Sequence, residues 1–209
     1  MTARPNWLKP PGAVVPGLRI GLLGGSFNPA HAGHLYITEV AMKQLCLDFV
    51  WWLVSPQNPL KTPTAMAPLQ QRIASAREIA GRHPRIRVSD IETRMGTRYT
   101  IDTVTGLKKR FGQVHFVWLM GSDNLLAFHR WRNCHRLAES IPIVVVRRPG
   151  TVLAPLKSKA ARRFAKRGNR AFATTQPPAL VVLDGRRSCT SATAIRRRGL
   201  GWFNHPVLH

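Results

Sequence analysis

The residues with the clearest chemical potential lie in one run, Gly24-Gly25-Ser26-Phe27-Asn28-Pro29-Ala30-His31-Ala32-Gly33-His34. Paired glycines permit positive φ and leave no Cβ to hold a ligand off, so backbone N–H groups from Gly25 to Phe27 can approach an anion. Asn28-Pro29 turns the chain, and from Gly33 onward Ile37, Val40, Ala41 and Leu45 recur at helical spacing. His31 and His34 therefore stand at a helix N-terminus. There the unpaired N–H groups and the positive end of the helix dipole favour an anion, and two imidazoles add donors. Polyphosphate binding is the chemistry such a set suits. Three other readings fit less well. A plain strand-turn-helix has no use for two histidines, a lone His-x-x-His lacks the further ligands of a zinc site, and the glycines are not spaced as in the dinucleotide-binding Gly-x-Gly-x-x-Gly loop.

The elements that must position this run can be read on either side of it. Leu18 to Leu23 is a short apolar stretch of the kind found in buried parallel strands, ended by the paired glycines. Phe49 to Val54 is a second such strand, and strand, helix, strand within about forty residues is a βαβ unit. The loop Pro56 to Pro63 then falls at the carboxyl end of that strand, where open α/β sheets bind ligands. On position alone its Lys61 is a solvated lysine. Pro68 opens a helix with Leu69, Ile73, Ala76 and Ile79 as its apolar stripe. Ile86 to Ile91 alternates as a strand, Arg94 to Tyr99 is a basic turn, and Thr100 is placed to cap a helix carrying Ile101, Val104, Leu107 and Phe111.

His115 to Met120 is the fourth strand, followed at once by Gly121-Ser122-Asp123. A glycine there lets a nucleotide lie against the backbone, and the Asp123 carboxylate can accept from ribose hydroxyls or hold a hydrated magnesium ion. Trp131 is either a core residue or a platform for an aromatic ring. Ile141 to Val146 and Leu180 to Leu183 complete a set of six strands, with a solvated basic helix from Ala154 to Gly168 between them. Cys189 to Arg196 begins the last helix. Its hydroxyls, Ser191 and Thr193 among them, either cap the helix or donate to phosphate, and Arg196 adds a fork of donors one turn on.

Length and composition set the outer bounds. A chain of 209 residues with 44% apolar residues is enough for one α/β domain with its own core. Cys46, Cys134 and Cys189 are far apart and odd in number, which indicates neither a disulfide framework nor a zinc ribbon and suits a reducing cytoplasm. Residues 1–17 are proline-rich and lack the apolar core of a signal peptide, so they read as a flexible extension preceding a domain from 18 to 209. No later run approaches a membrane span. The net charge of +23 attracts polyanions and makes nucleic-acid binding the main rival class. No zinc finger, basic zipper or aromatic RNA-binding strand accompanies it, which speaks against specific nucleic-acid recognition.

Gly-Gly-Ser-Phe-Asn-Pro-x-His-x-Gly-His resembles the signature of the nucleotidyltransferases that carry His-x-Gly-His, and more closely that of the bacterial nicotinate-mononucleotide adenylyltransferases. Further motifs follow in the family's order from about Leu18 to Arg198. Tyr99-Thr100 is similar to its Ser-Tyr-Thr element, Gly121-Ser122-Asp123-Asn124-Leu125 to its Gly-x-Asp-[Ser/Asn]-Leu element, and Arg147-Arg148-Pro149-Gly150 to its Arg-Arg-Pro-Gly. Ser191 to Arg196 resembles the Ser-[Ser/Ala]-Thr-x-Ile-Arg element, with Thr190 standing where isoleucine or a similar residue is usual.

The resemblance implies a Rossmann-like, doubly wound, mainly parallel α/β sheet in a single domain. It implies adenylyl transfer from ATP to nicotinate mononucleotide, with Mg2+ arriving on ATP. His31, His34 and Arg196 would be catalytic. Gly24, Gly25, Ser26, Phe27, Lys61, Gly121, Asp123, Ser191 and Thr193 would join them around ATP. Ser26, Phe27, Tyr99, Thr100, Asp123 and Trp131 would hold nicotinate mononucleotide, with backbone amides at Thr100 on the carboxylate and Trp131 stacked on the ring. The alternatives are a relative that adenylylates nicotinamide mononucleotide or phosphopantetheine, and a basic nucleic-acid-binding protein.

Overall fold

The computed structural model describes residues 10–12, 14–56, 66–147 and 171–184. Six strands form one sheet: β1 (Arg19–Gly25), β2 (Phe49–Val54), β3 (Ile86–Ser89), β4 (His115–Gly121), β5 (Ile143–Val146) and β6 (Leu180–Leu183). Their order is β3-β2-β1-β4-β5-β6, and every pairing is parallel. Parallel neighbours need crossovers, and the chain supplies helices for them: α1 (Ala32–Leu45), α2 (Leu69–Ala80), α3 (Ile91–Met95), α4 (Thr100–Arg110), α5 (Ser122–Ala127) and α6 (Cys134–Ser140).

Both faces of the sheet are covered, which is why its strands read as continuous apolar runs rather than alternating ones. Successive residues still part company. Trp52 and Val54 of β2, Leu119 of β4 and Val144 of β5 pack with Ile37 and Ala41 of α1 and Ile73 of α2 on one side. Trp51, Leu53, Trp118 and Val145 pack on the other with Val104 of α4 and Leu137 of α6. This two-sided core is the source of stability, each fully buried aliphatic side chain contributing about 1.5–3 kcal/mol.

Chain order reverses between β1 and β4, and this doubly wound order is the Rossmann-like one expected. Leu23 lies opposite Leu119, so Gly24 and Gly25 are level with Met120 and Gly121 at the carboxyl edge. The motifs that end β1 and β4 are thereby neighbours although almost a hundred residues apart in the chain.

The structure corrects several expectations. β1 does not stop at the glycines but runs through Gly25, which pairs with Val54. β3 ends at Ser89, because Ile91 starts the short helix α3, whose Arg94 bonds back to Asp90 at 3.0 Å. β5 begins only at Ile143: Ile141 closes α6, and Pro142 offers a carbonyl to Trp118 but no N–H. Pro68 is the N-cap of α2 rather than a residue of its first turn, and Tyr99, not Thr100, is the N-cap of α4. Of the residues read as an extension, Val14 packs on the core and the Gly17 N–H donates to the Gln113 carbonyl. The helices anticipated at 154–168 and from 189 lie outside the described residues.

Candidate active site

The β1–α1 turn takes its shape from residues that do not resemble one another chemically. Positive φ falls on Phe27, at 46°, not on Gly24 or Gly25. A non-glycine residue in this region costs on the order of 1 kcal/mol or more, which packing must repay. The Phe27 ring does so by burying almost completely, stacked on Trp52 at 5.3 Å and set against the His34 imidazole at 4.5 Å. With the ring packed in this way, the polar groups of Phe27 at the turn are those of its backbone.

Gly24 has a packing reason to lack a side chain. A Cβ there would lie 2.4 Å from the Trp118 ring.

His31 caps α1. Its Nδ1 accepts the Gly33 N–H at 3.0 Å, while His34 Nδ1 accepts the His31 N–H at 3.2 Å, a reciprocal capping box made by two imidazoles. Because both Nδ1 atoms accept from backbone donors, each neutral ring carries its proton on Nε2. The rings lie 4.0 Å apart between centroids. His34 is further held through its carbonyl, which accepts from Thr38 Oγ1, itself the acceptor for Trp52 Nε1. Two imidazole N–H donors are therefore fixed at the positive end of a fourteen-residue helix, beside the point where the sheet reverses.

Beneath this turn lies a residue that sequence reasoning missed. Arg72, in the first turn of α2, is 1% exposed and donates to four carbonyls: Ser26 and Ser55 at 2.7 Å, Ala67 and Pro56 at 2.9 Å. Two more contacts join α2 to the same turn. The Ala67 N–H donates to Asn28 Oδ1, and the Ala30 N–H donates to Ser75 Oγ. Burial pushes the Arg72 guanidinium below its ordinary range. Only the long polar side chain among the apolar residues of α2 marked this position in the sequence, and such a residue on a helix is usually solvated.

A second wall stands across the carboxyl edge. Trp131, half-buried, meets Trp118 edge-on at 6.1 Å and Phe128 at 5.6 Å. The next residue, Arg132, places its guanidinium 4.5 Å from the Tyr99 ring centroid. Tyr99 and Thr100 open α4, whose Asp102 and Thr103 amides bond back to the Tyr99 carbonyl. A continuous set of contacts thus runs from Gly24 through Trp118, Trp131 and Arg132 to the start of α4.

The profile of the cytidylyltransferase-like family matches residues 22–198. A protein of Parvibaculum lavamentivorans named "Probable nicotinate-nucleotide adenylyltransferase" is 52% identical over 196 residues, covering 90% of this chain and 96% of its own. One of Methylorubrum extorquens with the same name is 47% identical, covering 87% and 100%. The chain belongs to the nicotinate-nucleotide adenylyltransferase family. The fold agrees with that of Plasmodium falciparum nicotinic acid mononucleotide adenylyltransferase complexed with NaAD, at a TM-score of 0.67 and 15% identity over 86% of this chain and 83% of that one.

As a nicotinate-nucleotide adenylyltransferase, the chain brings Gly24 to Phe27, His31, His34 and Gly121 to one edge, with Tyr99, Thr100 and Trp131 across it. Gly121 caps α5, and Asp123, in the first turn of that helix, is exposed. Lys61, Ser191, Thr193 and Arg196 lie outside the described residues. Among the described residues no group of three His, Cys, Asp or Glu side chains is arranged to hold a metal ion. No helix among them is long and apolar enough to cross a membrane.

Behind the Tyr99 wall, Glu92 is buried and accepts from Thr103 Oγ1 at 3.1 Å, while Thr97 Oγ1 lies 2.8 Å from Thr103 Oγ1. Burial pushes the Glu92 carboxyl up to about 7, and the Thr103 hydrogen bond offsets part of that rise.

Proposed function

We propose that the protein transfers the adenylyl group of ATP to nicotinate mononucleotide, giving nicotinate adenine dinucleotide and pyrophosphate. The observation that carries this reading is the pair of imidazoles locked by their Nδ1 atoms at the start of α1, at the reversal point of a chain 52% identical to a named relative. In the reaction a phosphate oxygen of the mononucleotide attacks the α-phosphorus of ATP in line. The bond from α-phosphorus to the bridging oxygen breaks, and pyrophosphate leaves with the electron pair.

The attacking group is already anionic, so no protein nucleophile is needed. The work left to the protein is positioning, which contributes up to ~7–11 kcal/mol in favourable cases, and the stabilisation of charge building on non-bridging and leaving oxygens. His31 and His34 Nε2 and the amides of the β1–α1 turn are the donors we assign to that charge, with Lys61, Ser191, Thr193 and Arg196 as further donors.

We assign the nicotinate ring to Trp131 and its carboxylate to the amides that open α4. Mg2+ would arrive with ATP, and Asp123 of the Gly121-Ser122-Asp123 motif is the carboxylate that would hold it through water. It would supply charge neutralisation on the triphosphate. Nicotinamide mononucleotide and phosphopantetheine are the acceptors to be compared. Purified protein, ATP and Mg2+ are incubated with each phosphorylated acceptor and the products weighed by mass spectrometry. Consumption of phosphopantetheine with nicotinate mononucleotide left intact overturns the proposal.

A further inference from the structure

A buried charge ordinarily has an opposite charge beside it, because hydrogen bonds to neutral groups satisfy its donors without cancelling its field. Among the described residues Arg72 has no such partner. Its four acceptors are all backbone carbonyls. All nine acidic residues of the sequence fall within the described segments, and the ion pairs there are Arg94 with Asp90 and Arg147 with Asp184. Among the described residues no carboxylate supplies the counter-charge.

The carbonyls it holds indicate where a counter-charge would sit. Ser26 C=O points at Arg72 Nη1, and in a planar trans peptide the N–H of the next residue points the opposite way. That N–H belongs to Phe27, the residue with φ of 46°, and among the described residues it has no hydrogen-bond partner. The guanidinium thus fixes one end of the Ser26–Phe27 peptide and directs the other end away from α2. The Ser55 and Pro56 carbonyls are drawn to the same fork, so the ends of β1 and β2 are fixed to each other.

We infer that Arg72 is a positioning residue for the polyphosphate of the nucleotide substrate: it aims the Phe27 amide at a phosphate oxygen, and its buried charge is completed by that bound anion. This rests on reading the β1–α1 turn as a phosphate site and adds a buried residue of α2 that no sequence motif includes.

The test uses inorganic tripolyphosphate and ATP as probes, with wild type, Arg72→Lys and Arg72→Met. Lysine keeps the charge but cannot hold carbonyls from two strands in one plane. Tripolyphosphate should raise the melting temperature of wild type by mass action, and its Kd should rise roughly tenfold in Arg72→Lys and further in Arg72→Met. KM for ATP should follow while KM for nicotinate mononucleotide changes less. The melting-temperature gap between wild type and variants should then widen as the anion is added.

A merely structural arginine gives variants that melt lower by a constant amount at every anion concentration, and that result overturns the proposal alone. Wild type indifferent to both probes overturns the phosphate reading itself. Should the variants not fold, the amide resonance of Phe27 in 15N-labelled wild type decides. It should shift and become protected from exchange on adding tripolyphosphate, and an unmoved Phe27 amide refutes the inference.

Discussion

Gly24→Ala separates two reasons for a glycine at the end of β1, close approach of a ligand and close approach of a side chain. The alanine Cβ would sit 2.4 Å from Trp118 Cη2 and 2.8 Å from Cζ2, where ordinary contact begins near 3.4 Å. The ring must therefore move by about 1 Å or distort the strand, and overpacking of this kind costs about 1–3 kcal/mol. Trp118 is 1% exposed and cannot swing into solvent. Its displacement is passed to Trp131, edge-on at 6.1 Å. For a protein of 209 residues each kcal/mol lowers the melting temperature by about 2–4 °C. The expected result is a folded variant that melts about 2–12 °C lower, with KM for nicotinate mononucleotide raised more than KM for ATP. Calorimetry and initial rates with each substrate varied in turn measure both. A variant as stable as wild type that has lost only ATP affinity would falsify the packing argument and restore the glycine to a ligand-approach role.

His34→Ala should lower kcat by on the order of 10²–10³ with a smaller change in KM for ATP, since a fixed donor aimed at developing charge acts chiefly in the transition state. His31→Ala should lose about 1 kcal/mol in stability from the missing cap, and chemical denaturation that finds it as stable as wild type contradicts the assignment of His31 as N-cap. Nicotinate should be preferred over nicotinamide mononucleotide in kcat/KM by ~10⁴ or more, because amides at the start of α4 can only donate. Trp131→Ala should weaken both substrates and leave most of that ratio, and equal efficiency with the two in wild type refutes the carboxylate site. Glu92 holds its proton up to about pH 7 in the folded protein but releases it in the ordinary carboxylate range when unfolded. Its contribution is therefore complete at low pH and is lost as pH rises from about 4.5 through 7, an effect on the order of 3 kcal/mol. Glu92→Gln should gain stability relative to wild type at pH 8 and little at pH 4. Parallel denaturation midpoints across that range show that Glu92 is ionised in the fold.

The strands were legible because a sheet covered on both faces needs long apolar runs, and Phe49 to Val54 or Leu180 to Leu183 admit no other use. The His31 to His34 turn was legible through residue types that packing does not require. Three features were hidden for definite reasons. Gly24 is small because of Trp118, ninety-four positions later, and the sequence does not show which side chain will fill a vacancy. The strain at the turn sits on Phe27 because Trp52 and His34 reward burial of its ring, a tertiary effect stronger than the local preference for glycine. Helices α3, α5 and α6 are five to seven residues long, too short for periodicity to register. Arg72 was concealed by its own chemistry, since nothing in a sequence so rich in arginine sets this buried one apart from arginines at the surface.

That contrast gives the charge of the chain two distinct physical roles. Of the 32 basic residues, those on the surface act through water and counter-ions, so their attraction for a polyanionic substrate is long-ranged at low ionic strength and is screened within about 8 Å at physiological salt. They set how often a nucleotide arrives, and they draw nucleic acid equally well without preference of sequence. Arg72 lies in the core, where ions do not reach, and its field at the β1–α1 turn is largely independent of bulk salt. Raising salt should therefore reduce the second-order rate at low ATP, where arrival matters, far more than kcat at saturation. Weak DNA binding should vanish over the same range. A kcat that falls in step with the second-order rate would show that the charge governing the bound nucleotide is at the surface, and would remove the reason for burying an arginine beneath the turn.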